Sequence, residues 1–162
     1  MVVVSDTSVL CYLARLGRLD VLETLFGEVL IPNAVLRECV HAGAPEDLRH
    51  ALCGDIPSFI KVSGNDPVPL LETATLDIGE ATAITIAWQH RADSLLPLDE
   101  KRGRAIAGSL GLRLRGVLGI IVECHRRNIL DFDSTIAGLR KFGFRIASPA
   151  IDAARKQLGL SS

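Results

Sequence analysis

Asp6, Glu38, Glu80 and Asp99 are far apart in the chain, but each stands where a strand hands over to a helix or just inside the helix. Asp6 follows the apolar, β-branched run at residues 2–4, and Asp99 follows a second run at 95–98. Glu80 falls in the first turn of an expected helix, and Glu38 lies one turn into the helix that follows the apolar segment 28–31. In an open parallel sheet, ligands bind beyond the carboxyl ends of the strands, so four such acids can meet at one rim. Two carboxylates ~5 Å apart repel by roughly 3 kcal/mol at an effective dielectric near 20. A cluster of four therefore requires a compensating cation. With oxygen donors only, and no His or Cys in the set, Mg²⁺ or Mn²⁺ is the natural choice and zinc is not. Ions held this way can activate water and stabilise a leaving oxygen in phosphodiester hydrolysis.

Each acid also has a structural explanation. Asp6 can cap the helix that follows it, as Asp commonly does. Asp77 and Glu80, three apart, can form a capping box. Asp99 can cap the next helix, and Glu38 can be one more charge on a helix surface. Composition does not choose between these readings.

The elements that must position the acids follow from local pattern. Short continuous apolar runs at 2–4, 28–31, 59–62, 95–98 and 112–115 read as buried strands. Helical spacing is expected at 8–17, 20–26, 32–40, 44–53, from 77 onward, and at 102–110, 117–126, 131–142 and 149–158. Pro32 suits the first position of its helix. Residues 144–146 read as a small strand or an extended link, and 63–69 as a loop too short to join domains. Strands alternating with helices predict an α/β fold with a parallel sheet covered on both faces. Pro97 is a departure, because proline gives no ladder donor in what should be an inner strand, and it threatens to shift Asp99.

The 162 residues suit one domain covering 1–162. A chain of that size can bury roughly 70% of its unfolded surface without staples. The formal net charge of −1 does not announce a nucleic-acid binder. Within 101–127, however, Lys101, Arg102, Arg104, Arg113, Arg115, Arg126 and Arg127 face one acid, Glu123. A local basic surface attracts phosphate whatever the total charge. Cys11, Cys39, Cys53 and Cys124 form no CxxC pair and read as reduced, buried thiols of a cytosolic protein. The start of the chain does not read as a signal peptide, and no apolar run is long enough to span a membrane, so a cytoplasmic protein is expected.

The segment Ser5-Asp6-Thr7-Ser8-Val9-Leu10 after an apolar strand resembles the opening of PIN-domain nucleases. Ile31-Pro32 with Val35, Glu38 and Val40 resembles their second motif, and Leu76-Asp77-Ile78-Gly79-Glu80-Ala81 their third. Leu98-Asp99-Glu100 with Gly103-Arg104 resembles the fourth, and Gly111-Leu112 with residues 116–119 fits a toxin-like (VapC-like) branch. The resemblance spans residues 2–130, with a tail to 150. It implies a three-layer α/β/α sandwich and Mg²⁺- or Mn²⁺-dependent cleavage of RNA. It also implies a small antitoxin partner and a homodimer. Carried over by position, Asp6, Glu38, Glu80 and Asp99 are the acidic set, and Ser8 is a hydroxyl supporting the first Asp. Glu100 takes the place of a second Asp as a weaker ligand or supporting base. Arg102, Arg104 and Arg115 are candidates for holding the RNA backbone. Two rivals remain: a PIN-like domain that binds RNA or protein without catalysis, and a phosphotransfer enzyme or receiver-like switch with Asp6 or Asp99 as acceptor.

Overall fold

The computed structural model describes residues 1–160. Five short strands form: β1 (Val2–Val3), β2 (Val29–Ile31), β3 (Ile60–Val62), β4 (Ser94–Pro97) and β5 (Leu114–Arg115). All pairings are parallel. β4 lies between β1 and β5, β2 pairs with β3, and a parallel bridge between Val4 and Leu30 joins the two groups. The strand order is therefore β3-β2-β1-β4-β5. The chain winds outward in one direction from β1 and in the other from β4. The crevice between those two strands is where such a sheet opens a binding site.

Nine helices cover the sheet among the described residues: α1 (Thr7–Arg15), α2 (Asp20–Phe26), α3 (Asn33–Val40), α4 (Glu46–Leu52), α5 (Ile78–Gln89), α6 (Lys101–Ser109), α7 (Val117–Arg126), α8 (Phe132–Lys141) and α9 (Ser148–Gln157). Successive strand residues face opposite sides, and β1 shows it: Val3 joins one core and Val4 the other. The larger core gathers Leu10 and Leu13 of α1, Val35 of α3, Ile120 and Ile121 of α7, and Phe132 of α8. The smaller packs Ala83, Ile84 and Ala87 of α5 and Ala107 of α6 against Leu96 and Leu98. Two cores on two faces make the three-layer α/β/α arrangement expected from the alternation. No helix among the described residues is long and apolar enough to cross a membrane. The expectation of one domain over 1–162 reaches two residues beyond the described ones.

Several local expectations are corrected. Pro32 precedes α3 as its cap and is not its first helical residue. Of the two readings for residues 144–146, the link is the one realised. Cys53 is exposed, whereas Cys39 and Cys124 are buried. Short 3₁₀ turns at Leu71–Thr73 and Arg91–Asp93 carried no periodic signal.

Pro97 does not break the sheet. Leu96 and Leu98 donate to the carbonyls of Arg113 and Arg115, so by alternation the position without an N–H faces β1. The β1–β4 register ends at Val3↔Leu95, below Pro97. The missing donor therefore falls where the two strands part, at the mouth of the crevice.

Candidate metal centre at the β1–β4 crevice

Asp6 leaves the end of β1 and opens α1. It is 3% exposed, and its Oδ1 accepts the Val9 amide at 3.4 Å, so the helix-cap explanation is realised. It is not the whole account. Ser8 Oγ donates to Asp6 Oδ2 at 2.7 Å and accepts the Asp99 amide at 3.2 Å. One hydroxyl thus ties Asp6, beyond the end of β1, to Asp99, beyond the end of β4 and 91 positions after Ser8.

Asp99 does not cap α6. The residue before that helix is Glu100, which makes no side-chain cap bond. Asp99 Oδ1 instead accepts the Val117 amide at the start of α7, at 3.1 Å. Gly116 makes this approach possible, since a Cβ there would lie 2.8 Å from Asp99 Oδ1. Arg104 donates to the Leu98 carbonyl at 2.7 Å and holds the turn from behind.

Glu38 is half-buried and both its oxygens are engaged. Thr7 Oγ1 donates to Oε2, and the Gly79 amide donates to Oε1 at 2.9 Å. A Cβ on Gly79 would stand 2.5 Å from Oε1, so the fit requires glycine. Glu38 therefore caps α5 from another helix. The capping-box reading of Asp77 and Glu80 fails, because Asp77 makes no side-chain cap bond. Both acids are left facing the cleft.

Glu80 is the one acid of the four without a donor. Its Oε1 is buried and has no hydrogen-bond partner among the described residues. It presses on Gly103 in the first turn of α6, where a Cβ would fall on top of Oε1. Burial, then the charges of Asp6, Glu100, Asp77 and Glu38, push its pKa up to about 7. Burial also raises Asp6 to about 6, against the lowering effect of Ser8 and Val9, with Asp99 adding repulsion. Asp99 is raised by burial too, and restrained by the Val117 amide and Arg104. The gradient follows the donors: helix N-termini carry unpaired N–H groups and a partial positive charge, and Glu80 alone receives no amide.

Asp6, Thr7, Ser8, Glu38, Asp77, Glu80 and Glu100, with Cys11 and Tyr12, line one cavity of about 310 Å³. The four sequence-derived acids thus converge on one rim, three of them in this cavity and Asp99 beside it through Ser8. Among the described residues, no three of these side chains already surround one point as the ligands of a single ion. What fits a hard cation is the all-oxygen donor set and the unsatisfied Glu80 Oε1. Sequence reasoning missed Asp77, which it assigned to capping, and Tyr12, which sits one helical turn past Ser8 and so shares its face.

Of the three arginines expected at the RNA backbone, Arg115 and Arg104 line a second, larger groove beside Asp99. Arg102 is exposed on α6 and lines neither cavity. No curated protein and no solved structure matches the chain. A family model described as a PIN domain matches residues 2–160, nearly its whole length. PIN domains are generally nucleases and typically use divalent metal ions, and this chain, with its carboxylates gathered at the crevice of a parallel α/β/α sheet, belongs to the PIN-domain family.

Proposed function

We propose that this chain is a Mg²⁺- or Mn²⁺-dependent endoribonuclease, one nuclease domain over residues 1–162, acting as the toxin of a toxin–antitoxin pair. The observation that carries the catalytic part is Glu80 Oε1. A buried carboxylate oxygen with no donor, on a glutamate that lines a cavity rich in acids, marks a charge in need of a counter-ion. Asp6, Glu80 and Asp99 would hold the ion, and Glu38, saturated by Thr7 and Gly79, would position α5 and with it Glu80. When bound, a divalent ion supplies a Lewis acid that activates water and neutralises charge on the leaving 3′ oxygen.

The remaining work belongs to the chain. Ser8 holds the Asp6 and Asp99 segments at a fixed separation. Burial and the neighbouring acids favour the protonated form of Glu80, and a divalent cation held beside it would favour the ionised form. Glu100, exposed at the cavity edge, adds negative charge without burial. Arg104 and Arg115 lie where a phosphodiester beside Asp99 would run. Binding through phosphates gives salt-sensitive affinity with little base reading.

The receiver-like alternative is disfavoured by Asp6 itself. Two places on, where phosphotransfer enzymes with a DxD motif carry a second Asp, this chain has Ser8, whose hydroxyl donates to Asp6. The decisive comparison is wild type against Asp6→Asn on single-stranded RNA, with Mn²⁺ and with EDTA. Cleavage should require both Asp6 and the ion; equal cleavage by the two proteins removes Asp6 from the mechanism, and a metal-free, inactive wild type leaves a binding module. The toxin role, the small antitoxin, the homodimer and the cytoplasmic location rest on the likeness of the motifs to the toxin-like branch. Growth arrest on expressing wild type but not Asp6→Asn, and sedimentation of the purified protein, test them.

A further inference from the structure

The acids at the crevice share one device: a helix whose first amides are capped by a carboxylate from another segment. Asp99 caps α7 through Val117, and Glu38 caps α5 through Gly79. A third such acid, Asp66, lies apart from both cavities. α3 starts after Pro32, which offers no side-chain acceptor, so its first amides need one from elsewhere. Asp66, in the loop after β3, supplies it. Its Oδ1 accepts the Asn33 amide and its Oδ2 the Ala34 amide, each at 2.8 Å. Ser63 Oγ also donates to Oδ1, and Asn33 Nδ2 donates back to the Ser63 carbonyl at 2.6 Å. The Ser63 amide in turn donates to the Ile31 carbonyl at 2.9 Å, which anchors the loop on the last residue of β2. Burial raises the Asp66 carboxyl, but the Ser63 hydroxyl, the two amides and the Arg37 charge outweigh it and hold its pKa below the ordinary value. The loop therefore presents a fixed, ionised cap to α3.

α3 carries this constraint to the acidic cavity. Glu38 stands one turn after Ala34 on the same helix face, about 6 Å further along the axis. Its contacts leave it little latitude: Thr7 Oγ1 holds Oε2, and the Gly79 amide lies 2.9 Å from Oε1. Hydrogen bonds fail quickly when stretched, so a displacement of α3 by about 1 Å would take the Gly79 amide out of range. The next residue is Glu80, whose Oε1 has no donor to hold it in place. Resting on the nuclease reading above, we infer that Asp66 is a positioning residue for the metal centre: it fixes α3, α3 fixes Glu38, and Glu38 fixes the first turn of α5, which carries Glu80. Two acid caps in series thus connect the loop at 63–69 to the cavity, although no side chain of that loop lines it.

The test compares wild type with Asp66→Ala and Asp131→Ala. Asp131 caps α8 through the Ser134 amide at 2.9 Å and lines neither the cavity nor the groove, so its loss reports helix capping alone. Both variants should melt a few degrees lower. Two further readouts separate them. In EDTA, exchange of the Gly79 amide, followed by NMR, should be about 10-fold faster in Asp66→Ala and unchanged in Asp131→Ala. Mn²⁺ affinity, measured by calorimetry without RNA, should fall by about 10-fold in Asp66→Ala alone, as loss of a group orienting a metal ligand does. Asp66→Asn, which keeps one acceptor, should fall between, and it carries the comparison where Asp66→Ala does not fold. Unchanged exchange at Gly79 in the Asp66 variants overturns the inference, and so do equal changes in Asp131→Ala. Faster exchange with Mn²⁺ affinity intact overturns it too. A wild type that binds no Mn²⁺ counts against the proposed function, while exchange at Gly79 still decides whether Asp66 sets the first turn of α5.

Discussion

The acidic cavity and the arginine groove meet at Asp99 but handle charge in opposite ways. In the cavity, negative groups are buried, immobilised by hydroxyls and helix amides, and pushed toward protonation. In the groove, positive groups stand on long side chains, Arg126 and Arg145 exposed to water and, with Arg115, in no ion pair among the described residues. Crowded carboxylates cost free energy until a cation arrives, whereas exposed arginines cost little and act at a distance. Substitutions should therefore have large, all-or-none effects in the cavity and graded, salt-dependent effects in the groove.

Removing the residue that lines the groove and is tied through Ser8 to the cavity should have the largest consequence. Asp99→Asn should lower Mn²⁺-dependent cleavage by about a thousand-fold, roughly 4 kcal/mol of barrier, with its fold intact by circular dichroism. Retained activity would separate the two sites. Gly103→Ala follows. The new Cβ must displace the Glu80 carboxylate, so activity should drop by about a hundred-fold. Thermal stability should hold or rise, since replacing a helical glycine is worth up to ~1 kcal/mol. Loss of stability in step with activity would mean a packing defect instead.

The pH dependence of the metal-free protein comes next. Asp6 has a raised folded-state pKa, about 6 against 3.8, so the folded chain keeps a proton that the unfolded chain has released. Stability therefore falls as pH rises from about 4 to 6 and stays lower above it, by about 3 kcal/mol at most. Glu80 extends the fall toward 7. Denaturant titrations at pH 5 and pH 8 should show this slope in EDTA, and Mn²⁺ should reverse it by stabilising most at the higher pH. A flat profile would place the acids in water. Ser8→Ala should cost activity by about ten-fold, as loss of a group orienting a metal ligand does. In the groove, single Arg115→Ala should weaken RNA binding only a few-fold, with a shallower salt slope.

The strand–helix alternation, the parallel sheet and the handover residues Asp6 and Asp99 were legible in the sequence, because apolar runs and helical spacing are local patterns. Capping was misread for the same reason. Asp77 and Glu80 have the spacing of a capping box, but α5 is capped by Glu38, forty-one residues before Gly79. Local spacing cannot reveal a donor that arrives from another helix. Pro97 looked disruptive along the chain, and only the register placed its missing N–H at the crevice where β1 and β4 part.

The residue types alone determined that the chain carries enough carboxylates in the right order for a divalent-ion site, and enough arginine near residue 115 for a basic surface. Tertiary structure decided which carboxylate lacks a donor, which glycine each acid leans on, and that Arg126 and Arg145 share a groove with Asp99. The reason is physical: a charge's identity is written at its own position, but its solvation depends on which other segments the sheet order brings within a few ångströms.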